Sequence, residues 1–368
     1  MHNKSDKLIA LIVGTRPNFI KVAPILKELR KITTFKPVLI HTGQHFDFEM
    51  SRLFFRDLEI RKPDYNLGIN GSSHAELTAR MMICLEKKFI SLKPDIVTVV
   101  GDVDSTLAAS LTAAKLCIPV AHVEAGLRSF DPEMPEEFNR IVTDRLSDFL
   151  FIHSEDAHTN LIREGITKSK IYFTGNIMID MLKHMLERMK DDFYLKKFGV
   201  KRKKYVLLTL HRPTNVDNKG TLSSILKTIS LISEILPVIF PVHPRTLLQI
   251  RKFRLGNILR NSGIITTAPL GYIENLGLLK DAAFVMTDSG GIQEESTYLH
   301  IPCLTMRENT ERPITVEMGT NTIVGTNGHK IMTEIDKILT SRYKKGRVPK
   351  FWDGRTSERI VKILKENL

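Results

Sequence analysis

The stretch IVTVVGDVDSTLAASLTAAKLCIPVAHVEAG, residues 96–126, decides the fold. It opens on a run of apolar and β-branched residues that ends at Gly101-Asp102. A segment of helical period follows, and a second apolar run ends at Glu124. A strand covered on both faces reads as an unbroken apolar run, so this is a strand–helix–strand unit of a parallel sheet. The same rhythm extends in both directions. LIALIVG, PVLIHTG, FLFIHSE and IYFTGN share the first half of the chain with it. YVLLTLHR, VIFPVHP, IITTAPL, AFVMTDSGG, CLTMRE and TIVGT make up the second half. The expected class is α/β, with parallel sheets and helices on both faces.

A chain of 368 residues exceeds the roughly 250–300 at which one core divides, so two domains are expected. The helical stretch MIDMLKHMLERMKDDFYLKKFGV, residues 178–200, separates the two sets of strands. The boundary is placed at 180, giving domains 1–180 and 181–368. The tail from about 354 to 368 carries Ile360, Val361, Ile363, Leu364 and Leu368 at helical spacing and is expected to pack back on the first domain.

The formal net charge is +13, yet Lys and Arg are spread along the chain, with dense runs only at 196–205 and 342–347. No helix-turn-helix, RNP, KH or zinc-finger pattern accompanies them, which argues against a nucleic-acid partner. Cys84, Cys117 and Cys303 stand apart without metal-ligand spacing and read as small buried hydrophobes in a reducing compartment. The N-terminal apolar run stops at Gly14, too short for a membrane span and without a small-residue cleavage site. A cytoplasmic protein with no membrane partner is expected.

Nearly every apolar run ends in glycine or polar residues, and in open parallel sheets ligands bind beyond the carboxyl ends of the strands. At one such end Ser289, Gly290 and Gly291 precede a helix, and their N–H groups offer a phosphate seat. Glu295 lies a turn further on, where a carboxylate suits ribose hydroxyls. GTRPNFIK, residues 14–21, is a second strand-to-helix turn that brings Arg16 and Lys21 toward an anion without a Walker or GxGxxG pattern. Asp102 and Glu124 each end a buried strand, a costly place for a carboxylate that is neither paired nor functional. Pro135-Glu136-Glu137 reads as a helix start, with Phe138, Ile141, Leu146 and Phe149 forming its apolar face and Glu136, Asn139, Arg140 and Thr143 another.

In this order, GTRPNFIKVAP, GDVDSTLA, HVEAGLRS, PEEFNR, VTDRLSD, TGN, LHR, PVHPRT, DSGGIQEE and TERP resemble the non-hydrolysing UDP-N-acetylglucosamine 2-epimerases from about residue 8 to the C-terminal helix. The resemblance implies two Rossmann-like domains facing across a cleft, the GT-B architecture, in a homodimer. It also implies reversible conversion of UDP-GlcNAc to UDP-ManNAc without metal or nicotinamide. Elimination of UDP would give a 2-acetamidoglucal, and UDP would then add back with the C2 proton delivered to the other face. By that resemblance Asp102, Glu124 and Glu136 are acid/base carboxylates. Arg16, Lys21, His211, Ser289, Gly290 and Gly291 hold the diphosphate, His211 counting with the carboxylates as a catalytic residue; Glu295 holds the ribose, Arg312 lies near the sugar or phosphate, and Asn176 contacts the sugar.

The chain departs from the family pattern at Asn18, where many members have Glu, and at Val103-Asp104, where Thr-rich sequence is common. Gln44 and His45 match a regulatory substrate site of some members, but Asp47 does not match its next contact. A modified UDP-sugar, a 3-acetamido or uronic acid derivative, is the alternative substrate these departures leave open. A GT-B glycosyltransferase is the alternative activity.

Overall fold

The computed structural model describes residues 6–43, 62–71, 73–189, 193–260 and 262–368. It divides into two compact units, Met1–His184 with Lys350–Leu368, and Met185–Pro349. The division falls inside helix Ile177–Arg188, and the chain's last residues belong to the first unit.

The first unit's sheet comprises β1 (Lys7–Val13), β2 (Phe35–His41), β3 (Tyr65–Asn66), β4 (Ile96–Val100), β5 (Val120–Val123), β6 (Phe149–Ile152) and β7 (Ile171–Phe173). All are parallel, in the order β3-β2-β1-β4-β5-β6-β7. The second unit's sheet holds β8 (Val206–Thr209), β9 (Val238–Pro241), β10 (Ile264–Thr267), β11 (Phe284–Thr287), β12 (Cys303–Thr305) and β13 (Asn321–Ile323). These are parallel too, ordered β10-β9-β8-β11-β12-β13. Two Rossmann-like sheets are thus present, and each of the twelve apolar runs became a strand. β3, two residues at an edge, had no run to announce it.

The unbroken runs follow from two covered faces. Val206 and Leu208 of β8 pack with Phe240, Phe284, Met286 and helix Lys219–Ser233 in one core. Tyr205, just before β8, and Leu207 pack with Ile239, Val285, Cys303 and Leu278 in another. In the first unit Ala10, Ile12, Val97 and Val99 meet Met81, Leu85 and Phe89 of helix His74–Leu92.

The C-terminal segment is fastened to the first unit by buried groups. Trp352 Nε1 donates to the His153 carbonyl at 3.1 Å. Asp180 accepts from the Thr356 and Ser357 N–H groups at 3.0 and 2.7 Å, capping helix Thr356–Asn367. One expectation fails among the cysteines. Cys303 is buried, but Cys84 is half-buried and Cys117 is exposed in a left-handed turn beyond helix Asp104–Lys115. Gln44, His45 and Asp47 lie outside the described residues. Among the described residues no helix is long and apolar enough to cross a membrane.

Candidate active site

Both strand orders reverse direction at one place, between β1 and β4 in the first unit and between β8 and β11 in the second. At such a switch point the loops leaving neighbouring strands diverge and open a crevice at the carboxyl edge.

In the first unit Gly14 follows β1, Gly101-Asp102 follows β4, and Glu124 follows β5. Asn18, in the first turn of helix Arg16–Leu29, ties two of these ends together. Its Oδ1 accepts from the Gly14 and Thr15 N–H groups at 3.2 and 2.9 Å, and its Nδ2 donates to the Val100 carbonyl at 3.0 Å. A glutamate could not make the last bond, having no N–H to give. One turn on, Lys21 Nζ lies 2.5 Å from Glu124 Oε2, both side chains buried. Glu124 Oε1 is buried without a hydrogen-bond partner among the described residues. Glu124 sits in the left-handed region at φ 72, and Gly101 beside it at φ +68. A Cβ on Gly101 would lie 3.1 Å from Lys21 Nζ, so a glycine there lets the ammonium sit against the backbone. Arg16 is exposed at the helix start. Five residues of helix turn it about 140° away from Lys21.

Helix Pro135–Leu146 turns its polar side inward. Arg140 is buried; it binds Asp102 and donates to Glu137 Oε2 at 2.7 Å. Glu137 also accepts from the Ser129 and Phe130 N–H groups at 2.9 and 3.0 Å. Burial opposes the Glu137 charge, but these N–H groups and Arg140 outweigh it and hold the carboxyl below its usual range. Asn139 donates to the Asp102 carbonyl at 2.9 Å. Asp144 is fully buried against His122 and Arg128. Burial works against its charge too, and His122 and then Arg128 more than offset that and lower its pKa. The sequence assigned this helix an apolar face of Phe138 and Ile141; they are 63% and 43% exposed. Glu136 is half-buried in the first turn, while its neighbour Glu137 is committed to structure.

In the second unit Asp288 follows β11 and His211 follows β8. Asp288 is buried and accepts from the N–H groups of His211 and Arg212, each at 2.9 Å, and from Asn215 Nδ2 at 3.2 Å. Its Oδ1 also meets His211 Nδ1 at 2.9 Å, which fixes the imidazole at the strand end. Burial opposes the Asp288 charge, and the bonds from His211 and Arg212 overcome it and depress the pKa. The His243 ring lies 5.6 Å from that of His211.

Ser289 is the N-cap of helix Gly290–Tyr298, and its side chain makes no capping bond. Beneath Gly290 packs Arg312, which is buried and bound to Glu294 Oε1 at 2.9 Å and to Glu311. A Cβ on Gly290 would fall 2.3 Å from Arg312 Nη1. Glu295 is buried, and its carboxyl is pushed up to about 7 by burial, partly offset by the Tyr272 hydroxyl and reinforced by Glu294. Asn176, at the end of edge strand β7, caps helix Ile177–Arg188 by accepting from the Met178 N–H at 2.9 Å.

Known proteins resemble this chain along nearly its whole length. The family model of UDP-N-acetylglucosamine 2-epimerase matches residues 27–365. The chain belongs to that family. It is therefore an enzyme, an isomerase. A UDP-N-acetylglucosamine 2-epimerase of Methanococcus maripaludis is 44% identical over 97% of this chain and 98% of its own. A solved structure of the Methanocaldococcus jannaschii UDP-GlcNAc 2-epimerase, in complex with UDP-GlcNAc and UDP, has a TM-score of 0.90 at 44% identity. It covers 98% of this chain and 99% of that one. The UDP-2,3-diacetamido-2,3-dideoxy-D-glucuronate 2-epimerase of Pseudomonas aeruginosa is 42% identical over 86% of this chain and 88% of its own. A Rickettsia africae glycosyltransferase, at 14% identity and TM-score 0.58, shares the fold alone.

In the epimerase's first unit the structure joins Lys21 to Glu124 and Asp102 to Arg140, and in its second His211 to Asp288 and Arg312 to the Gly290 turn. Sequence reading passed over Asn18, His122, Arg140, Asp144, Asp288 and His243 as site residues. Asp288 carried a signal, standing immediately before Ser-Gly-Gly at a strand end. Arg140 and Asp144 carried little, because their partners lie in distant segments.

Proposed function

We propose that the protein interconverts the C2 epimers of a UDP-N-acetylhexosamine, UDP-GlcNAc and UDP-ManNAc, by eliminating UDP across C1 and C2 and adding it back. The observation that carries this is Glu124, a buried carboxylate with one oxygen on Lys21 and the other without a partner among the described residues, in a backbone conformation that strains a non-glycine residue. The C2 hydrogen has no neighbouring carbonyl to acidify it. Inversion therefore needs one group to take the proton on one face and another to return it on the opposite face. Asp102, Glu124 and Glu136 supply carboxylates in one unit. Ser289, Gly290 and Gly291 open a helix whose N–H groups suit the departing diphosphate, and His211, held by Asp288, stands by them. Arg16, Lys21 and Arg312 supply cations, Asn176 a further amide, and Glu295 a carboxyl for the ribose. The homodimer and the cytoplasmic location belong to the same proposal, and light scattering on the purified chain checks the first.

Proton NMR with UDP-GlcNAc in D₂O tests the reaction. UDP-ManNAc with deuterium at C2 is the expected product, and unchanged substrate overturns the reading for this sugar. The 42% identical relative named for a diacetamido glucuronate favours a second substrate reading, a UDP-diacetamido uronic acid. Exchange with that sugar and none with UDP-GlcNAc would select it.

A further inference from the structure

We propose that His122 is a positioning residue, an imidazolium that donates from both ring nitrogens and so fixes the loop carrying Asp102. His122 lies on β5 with no exposed surface. Its Nδ1 is 2.7 Å from Asp144 Oδ1, and its Nε2 is 2.8 Å from the Gly101 carbonyl oxygen. A neutral imidazole has one N–H and one bare nitrogen, and a bare nitrogen this close to a carbonyl oxygen would repel it. The Gly101 carbonyl has no proton to offer. The other oxygen of Asp144 is already occupied, taking the Gly126 N–H at 3.0 Å and Arg128 Nη2 at 2.8 Å. Two donors, one of them a guanidinium, already converge on this carboxylate, the arrangement of an ionised acid. Both protons in the His122 bridge therefore belong to the ring, and its buried charge is matched by Asp144.

The location gives the bridge its use. Gly101 turns the chain at φ +68, and its carbonyl is the point at which His122 grips that turn. Asp102 follows at once. The Gly101 N–H donates to the Val123 carbonyl at 3.0 Å, one residue before Glu124. A single ring thus spans helix Pro135–Leu146 and the two strand ends that bear Asp102 and Glu124. The positioning role rests on the reading of those carboxylates as the working groups; the protonation state does not.

The protonation state is read by long-range proton–nitrogen correlation on the full chain labelled with ¹⁵N-histidine at neutral pH. The His122 signals are assigned by their loss in His122→Asn. Both ring nitrogens bearing protons is the expected result, and one unprotonated nitrogen overturns the proposal. This measurement needs no turnover, so it stands apart from the proposed reaction. The role is read by two variants. His122→Asn keeps a donor toward Asp144 and loses that toward Gly101, and His122→Gln does the reverse. Each is expected to lower kcat at least about tenfold, the kinetic equivalent of one hydrogen bond, with KM within about threefold. Wild-type kcat in both overturns the positioning role, and a folded wild type without turnover defeats the reaction instead.

Discussion

Gly290→Ala turns the close packing of Arg312 into a measurable quantity. The new Cβ would lie 2.3 Å from Arg312 Nη1, 2.8 Å from its Cζ and 2.8 Å from Glu311 Oε1. Ordinary contact begins near 3.4 Å, so the guanidinium must retreat by about 1 Å. Arg312 is only 6% exposed and has no solvent to retreat into. The displacement stretches its bonds to Glu294 and Glu311, both buried. Breaking a buried pair outright costs about 3–5 kcal/mol, so stretching two by this amount costs about 2–3 kcal/mol. For a unit of this size that is a fall in Tm of roughly 5–10 °C. Scanning calorimetry measures it, and titration calorimetry with UDP should show affinity falling about tenfold, as one lost hydrogen bond would give. Gly256→Ala is the control, since a Cβ there meets nothing within 4 Å among the described residues. An unchanged Tm and UDP affinity in Gly290→Ala would refute the argument that this glycine exists for the approach of Arg312.

Three further outcomes are expected. Asp102→Asn and Glu124→Gln should each lower turnover at least about 10²-fold with UDP affinity retained, and steady-state kinetics with calorimetry would show otherwise if either is a bystander. Asp180→Ala removes the acceptor for Thr356 and Ser357 and should cost about 1–2 kcal/mol, with faster hydrogen exchange confined to helix Thr356–Asn367; exchange unchanged in that helix would count against the cap. The Glu295 carboxyl is raised from 4.5 to about 7 by burial, so its contribution to stability is complete below 4.5 and lost as pH rises through about 7. Glu295→Gln should flatten the Tm profile over that window, and parallel profiles would refute the linkage.

The fold was legible because its strands are doubly covered and each announces itself as an apolar run. β3 escaped notice because two residues carry no pattern. The strand-end residues were legible for a related reason. A polar group that closes an apolar run, as Asp102 and Glu124 do, is conspicuous against it. Their supports were not conspicuous. Arg140 reaches Asp102 from 38 residues along the chain, and His122 hides inside an apolar strand. Hydrophobic periodicity also assigned the helix at 135–146 an apolar face without saying which face is inside. Cys117 was misplaced on the same logic, since an apolar neighbourhood in sequence does not bury a residue at a turn.

That helix carries a lesson about orientation. Rotating it to bury Phe138 and Ile141 would remove more apolar surface from water, so oil-like attraction alone selects the wrong roll angle. Arg140, Asp144 and Asn139 act as an indexing pin, because each finds its partner at only one setting. The same salt bridges that shape the site thereby choose which way the helix faces. A variant with that pin replaced by hydrocarbon would keep its helix and lose its bearings.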